Sequence, residues 1–258
     1  MTLPFDRALW RLARASDPDA RWRWRDVDPP ASAGYAFYNA LEEEQMAVAA
    51  LAPDPDEASR ILTLAQIAFG RLRGLLAAVD DELLDGAPAA GEWSLRETLA
   101  HTIGVERSYR ANTQHALVRS DDEPLTLPAE RRPQPDPADT SGGVLDILAA
   151  FAARRAETDA ALVGLDARQL VRPSQWGPYE VPHRIDVRFR LHRFASHIVE
   201  HTVQCEKTIA SLGVALNDPR AVVRAIGATR GAHERRSSRT VLDALDAALL
   251  ARADAIGA

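Results

Sequence analysis

The chain has 258 residues, enough for one large domain or two small ones around a substantial core. Its 31 Lys+Arg against 37 Asp+Glu leave a formal net charge of -6, so no global positive field would gather nucleic acid or anionic lipid. With 46% hydrophobic and 26% charged residues the composition is that of an ordinary globular protein, not a disordered one. Cys205 is the only cysteine and Lys207 the only lysine, which excludes an intrachain disulfide framework, a CxxC redox pair, a multi-cysteine zinc module and a P-loop. The stretch after Met1 has no signal-peptide core, and no run approaches the roughly eighteen apolar residues of a membrane span. The expectation is a cytoplasmic protein that meets a small-molecule substrate, with no nucleic acid and no membrane.

The first 33 residues read as an irregular arm, with Pro4, Asp17-Pro18-Asp19 and Pro29-Pro30 interrupting every helix pattern. Within it Arg21-Trp22-Arg23-Trp24-Arg25 reads as a short extended segment whose indoles cover a helical core, in preference to a single-strand-binding platform. Helical periodicity then predicts Tyr35 to Leu51, and Asp56 to Val79 with Ile61, Leu64, Ala68, Leu72, Leu75 and Val79 inward. Ser94-Leu95-Arg96-Glu97 is a capping box that opens a third helix to about Val118, with Leu95, Leu99, Thr102, Val105 and Tyr109 inward. Ser120 to Ser141 reads as a long polar surface crossover. A fourth helix spans Gly143 to Val163 and a fifth about Asp186 to Leu212, ending at Gly213; two more follow near Pro219 to Arg230 and Thr240 to Ala255. No strand pair is predicted, because alternation never lasts and no Asn-Gly or Asp-Gly hairpin joins two β-rich runs. The fold class is all-α. A weak internal echo, in which a helix, an acidic turn, a Trp-bearing link and a His-bearing helix recur, suggests two helical hairpins making a four-helix bundle.

Three of the seven histidines carry chemistry. His197 and His201 are one helical turn apart, so their ring nitrogens can meet at one ion, and His101 has the same flanking position on its own apolar stripe. Three such imidazoles in a groove between packed helices would make a three-ligand metal site with an open position. His192 lies about 180° round the helix from His201 and cannot join it. His115, His183 and His233 read as exposed, and Arg230, Arg235, Arg236 and Arg239 as a solvated turn. Cys205, one turn past His201, reads as a small core residue before a fourth ligand or reactive thiol.

The segment Trp93-Ser94-Leu95-Arg96-Glu97-Thr98-Leu99-Ala100-His101, followed by His192-Arg193-Phe194-Ala195-Ser196-His197-Ile198-Val199-Glu200-His201-Thr202-Val203-Gln204, resembles the DinB-like superfamily over about Asp56 to Leu212. The resemblance implies a four-helix bundle with a crossover connection and a zinc or nickel ion on His101, His197 and His201. It also implies thiol chemistry of the kind found in mycothiol-dependent maleylpyruvate isomerase and bacillithiol transferases, where metal lowers the pKa of a low-molecular-weight thiol and presents it to an electrophile. The organisation expected is an N-terminal arm and helix (1–55), the metal-binding bundle (56–213) and a C-terminal helical extension (214–258).

Two other readings stand beside a divalent-metal-dependent thiol S-transferase. His197-Ile198-Val199-Glu200-His201 is also literally H-x-x-E-H, so a metal-dependent hydrolase would use Glu200, Glu97 or Tyr109 as acid or base. The third is a non-catalytic bundle with structural histidines whose extra helices form a homodimer or partner surface.

Overall fold

The computed structural model describes residues 3–14, 21–22, 31–77, 79–176, 183–215 and 217–256. Among them helices dominate: α1 (Pro4–Ala13), α2 (Ala33–Ala49), α3 (Glu57–Leu76), α4 (Leu95–Val118), α5 (Val144–Leu162), the single turn α6 (Ala167–Leu170), α7 (Val187–Ser211), α8 (Asp218–His233) and α9 (Arg239–Ala255). Side-chain caps fix the starts of the long helices. Asp56 accepts from the Ser59 amide, Ser94 and Glu97 form a reciprocal capping box, and Asp186 accepts from the Phe189 amide. No helix among the described residues is long and apolar enough to cross a membrane.

The bundle consists of α3, α4, α5 and α7. Helices α3 and α4 each pack against α5 and α7, so the order around it is α3, α7, α4, α5. The consecutive helices α3 and α4 therefore sit diagonally, as do α5 and α7, and the two halves are not side-by-side hairpins. Phe69, Leu72 and Leu76 of α3 meet Leu99 and Ile103 of α4, Ile147 and Phe151 of α5, and Ile198 and Ile209 of α7. Across that core Arg155 donates to Glu106 at 2.7 Å, both side chains buried.

Three sequence expectations are corrected here. Pro4 does not interrupt a helix but occupies its first turn, where its missing N–H costs nothing, and Phe5, Leu9 and Leu12 then bury one face of α1. A strand pair does exist: β3 (Pro173–Trp176) runs antiparallel to β4 (His183–Asp186), with Ser174 opposite Ile185 and Trp176 opposite His183. It escaped pattern reading because both strands are polar edges with Ser174 alone fully buried, and Pro173 stands at a strand start, where proline is tolerated. A two-residue pair, β1 (Arg21–Trp22) with β2 (Ala31–Ser32), closes the N-terminal segment; residues 23–25 of the Arg-Trp alternation lie outside the described residues. Finally, Leu64 is exposed, while Leu62, Phe69 and Leu76 are buried, because α3 is covered on more sides than one amphipathic stripe provides for.

The extra cover is α8. Gly70 and Gly74 of α3 face Gly227 and Gly231 of α8 so closely that a Cβ on Gly227 would stand 2.3 Å from the Gly70 carbonyl oxygen, and one on Gly231 2.4 Å from that of Gln66. Main chain touches main chain. Gly227→Ala is therefore expected to destabilise the protein by about 1–3 kcal/mol, whereas Gly104→Ala, mid-helix in α4 with nothing within 4 Å of its Cβ, should gain up to about 1 kcal/mol. Paired urea melts check both.

Helices α1, α2, α8 and α9 share a second apolar cluster and a buried ionic network. Glu44 of α2 accepts from Arg230 at 2.8 Å and from His233 at 2.6 Å, and Arg230 also donates to Asp246 of α9 at 2.7 Å. Arg73 of α3 joins Asp6 of α1 to Glu234. Arg230 and His233 are thus buried, not solvated as their polar neighbours suggested; Arg236 pairs with Asp54, and Arg239 stays exposed. His115 is likewise buried and donates to the Pro124 carbonyl at 2.9 Å, which anchors the start of the 119–143 crossover. That crossover is not wholly superficial, since Leu127 and Asp139 are buried within it.

Candidate metal centre

The capping box sets the phase of α4 and the Asp186 cap that of α7, and packing of the two helices brings His101 to His197 and His201. His197 Nε2 lies 3.2 Å from His101 Nε2 and 3.0 Å from His201 Nε2, and one ligand atom from each ring falls within 4.8 Å of the others. Two imidazole nitrogens at roughly 2.0–2.1 Å from a tetrahedral ion stand about 3.3 Å apart, so the His101–His197 and His197–His201 pairs already have the spacing of a shared cation. His201 Nδ1 donates to Gln204 Oε1 at 2.9 Å, which leaves its Nε2 lone pair facing the cluster. The single Nε2–H that His197 can carry bridges one of its two close contacts and leaves the other lone pair opposed. A cation among the three nitrogens satisfies all of them.

Burial, then the neighbouring His201 and His101 imidazoles and the Arg193 guanidinium, push His197 down to about 3. Burial also lowers His101, with His201 beside it adding to the effect and Glu200 opposing it. At neutral pH His197 therefore holds its lone pair without competition from protons. Among the described residues the donor set is three imidazoles with no carboxylate in the cluster.

The cluster opens into a cavity of about 870 Å³ between α4, α7, β3 and the crossover. Trp93 forms one wall, its ring 4.9 Å from that of His101 and stacked at 6.4 Å on that of His201. Tyr109 sets its ring edge-on to His197 at 5.6 Å and packs on Trp176 at 5.2 Å. Val105 and Tyr109, predicted to point inward, line this cavity, and Ile103 and Glu106 take the buried positions instead.

The acid–base candidates separate. Glu200 lines the cavity, exposed and 3.7 Å from Arg193. Tyr109 lines it too. The Glu97 carboxylate accepts from the Ser94 amide and hydroxyl at 2.8 and 2.9 Å, which holds its pKa below the usual range and commits it to the helix cap, away from the cavity. Cys205 is fully buried in the bundle core, and burial pushes its thiol up to about 12. His192 and His183 are exposed and stand apart from the cluster. Sequence reasoning did not single out Gln204, Trp93, Trp176 or Arg190 as part of the site. Gln204, three residues after His201, was the one whose spacing already put it within reach.

None of the curated proteins compared with the chain matches it. The solved structure of YfiT from Bacillus subtilis, described as a probable metal-dependent hydrolase with an unusual four-helix bundle topology, is similar at 15% identity and a TM-score of 0.49, covering 64% of this chain and 95% of that one. The sequence profile of the DinB superfamily matches residues 64–205, more than half of the chain, and runs from within α3 through all three clustered histidines. By that match the chain belongs to the DinB superfamily.

Proposed function

We propose that this protein binds one divalent transition metal, zinc or nickel, through His101, His197 and His201, and uses it to transfer a low-molecular-weight thiol to a small electrophile. The observation that carries the reading is the convergence of three imidazole nitrogens at the wall of a cavity large enough for two small molecules. An ion held by neutral ligands keeps its full charge to lower the pKa of whatever thiol completes its coordination. The chain's own thiol is sealed in the core, so the nucleophile comes from outside. Trp93 and Tyr109 supply apolar surfaces that exclude water beside the cluster, and Gln204 holds His201 in its ligating tautomer.

Metal content of the purified chain, followed by assays of cysteine or 2-mercaptoethanol addition to a maleate-type electrophile and of p-nitrophenyl acetate cleavage, tests this reading. Metal-dependent thiol consumption without ester cleavage is expected. Ester cleavage that needs Glu200 would instead support metal-dependent hydrolysis, which the position of Glu200 on the cavity wall favours as the second reading. A metal-free, inert protein would leave the histidines structural. Gln204→Ala is expected to weaken metal binding by about 10–100-fold, read by competition with a chromophoric chelator, with the fold unchanged by circular dichroism.

A further inference from the structure

Away from the three histidines, the cavity wall is positively charged. Arg132, Arg190 and Arg193 line it, and Glu200 is the one acidic residue among the described lining residues, in a chain whose overall charge is -6. Arg190 is the unusual member. It is only 3% exposed, yet forms no ion pair with any described carboxylate, whereas the buried Arg73, Arg155 and Arg230 each have one. Its Nη2 donates to Ser174 Oγ at 2.9 Å and to the Gln175 carbonyl at 2.6 Å; its Nε is buried with no partner. Its guanidinium lies 5.5 Å from the centre of the Trp176 ring, and that of Arg193 lies 5.2 Å from the same ring. Burial draws Arg190 down to about 10, so it still carries its charge at neutral pH.

A guanidinium that lines a cavity, braced by a strand and without a described carboxylate against it, is built for an anion with planar oxygens. We propose that Arg190 is the anion receptor of this cavity and takes a carboxylate on the small electrophile whose reacting end faces His101, His197 and His201, an assignment that rests on the reading above. The two donations from Nη2 hold the fork in place, and the Trp176 face leaves the rest of the substrate an apolar bed. The substrate class is thus a small unsaturated or otherwise electrophilic organic acid, not a neutral alkylating agent.

The test is run on the metal-free full chain, with benzoate and its neutral isostere benzamide as probes, by calorimetry and tryptophan fluorescence. Benzoate is expected to bind at least tenfold more tightly than benzamide. Arg190→Gln should erase that preference while leaving benzamide affinity unchanged, and Arg190→Lys should retain part of it, which covers the case in which the glutamine variant fails to fold. Equal binding of the two probes by the wild type overturns the proposal, as does a benzoate preference that survives Arg190→Gln or disappears only in Arg193→Gln. Glu180 lies outside the described residues, so Glu180→Gln is titrated as well; a tenfold gain in benzoate affinity there would show that Arg190 already holds an internal carboxylate, and would also overturn it. Because no metal enters these titrations, their result and that of the metal analysis stand or fall separately.

Discussion

His201→Ala is expected to abolish specific metal binding, lowering affinity by at least about 10³-fold, beyond the roughly 10–100-fold that follows loss of a partner behind a ligand. Of the three proposed ligands, His201 is the one whose orientation is set from outside the cluster, by Gln204, and its Nε2 is 3.0 Å from that of His197. Removing it leaves two imidazoles on different helices and no third donor among the described residues, since Cys205 is sealed in the core and Glu200 points toward Arg193. The measurement is a thermal melt with and without metal. At a thousandfold excess over Kd the wild type should gain about 4 kcal/mol of stability from the ion, and His201→Ala essentially none. A variant that gained as much as the wild type would place the ion elsewhere.

Glu44→Gln is expected to destabilise the protein by about 3–5 kcal/mol, the usual cost of removing one partner from a buried ionic cluster. Its carboxylate is shared by Arg230 and His233, all three side chains being buried. Burial would by itself raise the Glu44 pKa, but the hydrogen bonds from His233 and Arg230 outweigh it and hold the carboxyl below its ordinary value. The folded state therefore binds the Glu44 proton more weakly than the unfolded state does. Its contribution is complete above the unfolded pKa, near 4.3, and is lost as pH falls through the lower folded value. The gap between wild type and Glu44→Gln, measured by urea denaturation, should accordingly narrow as pH falls below about 4. A gap that widened in acid would refute this assignment of the pair.

How far the chain could be read in advance follows from which features are local. The starts of α3, α4 and α7 were legible because Asp56, Ser94 and Asp186 are caps whose partners lie three residues on. The His197–His201 pair was legible from helical spacing. The approach of His101 depends on α4 lying against α7, and it was inferred from matching positions on two apolar stripes. What was missed has distant partners. His115 and His233 sit in polar sequence but find the Pro124 carbonyl and Glu44, 9 and 189 residues away. The β3–β4 hairpin lacks hydrophobic alternation because its one buried residue is Ser174, while Gln175 and Trp176 line the cavity. Arg190 looked like one more arginine on α7, and only the absence of a described acidic partner distinguishes it. Gly70, Gly74, Gly227 and Gly231 carried a visible signal, two pairs four residues apart, that was not used.

That glycine-lined crossing constrains how the cavity can adapt. With main chains in contact, α3 and α8 have no side-chain cushion between them to compress or slide, and α7 rests on α3 as on an anvil. The wall that carries Arg190, His197 and His201 is correspondingly rigid. Room for a bulkier guest must come from the crossover side, where Thr126, Leu127 and Arg132 line the cavity and Arg132 donates to the nearby Leu127 carbonyl. Diversification of ligand size among relatives with this crossing should accordingly concentrate in that segment and spare the glycines.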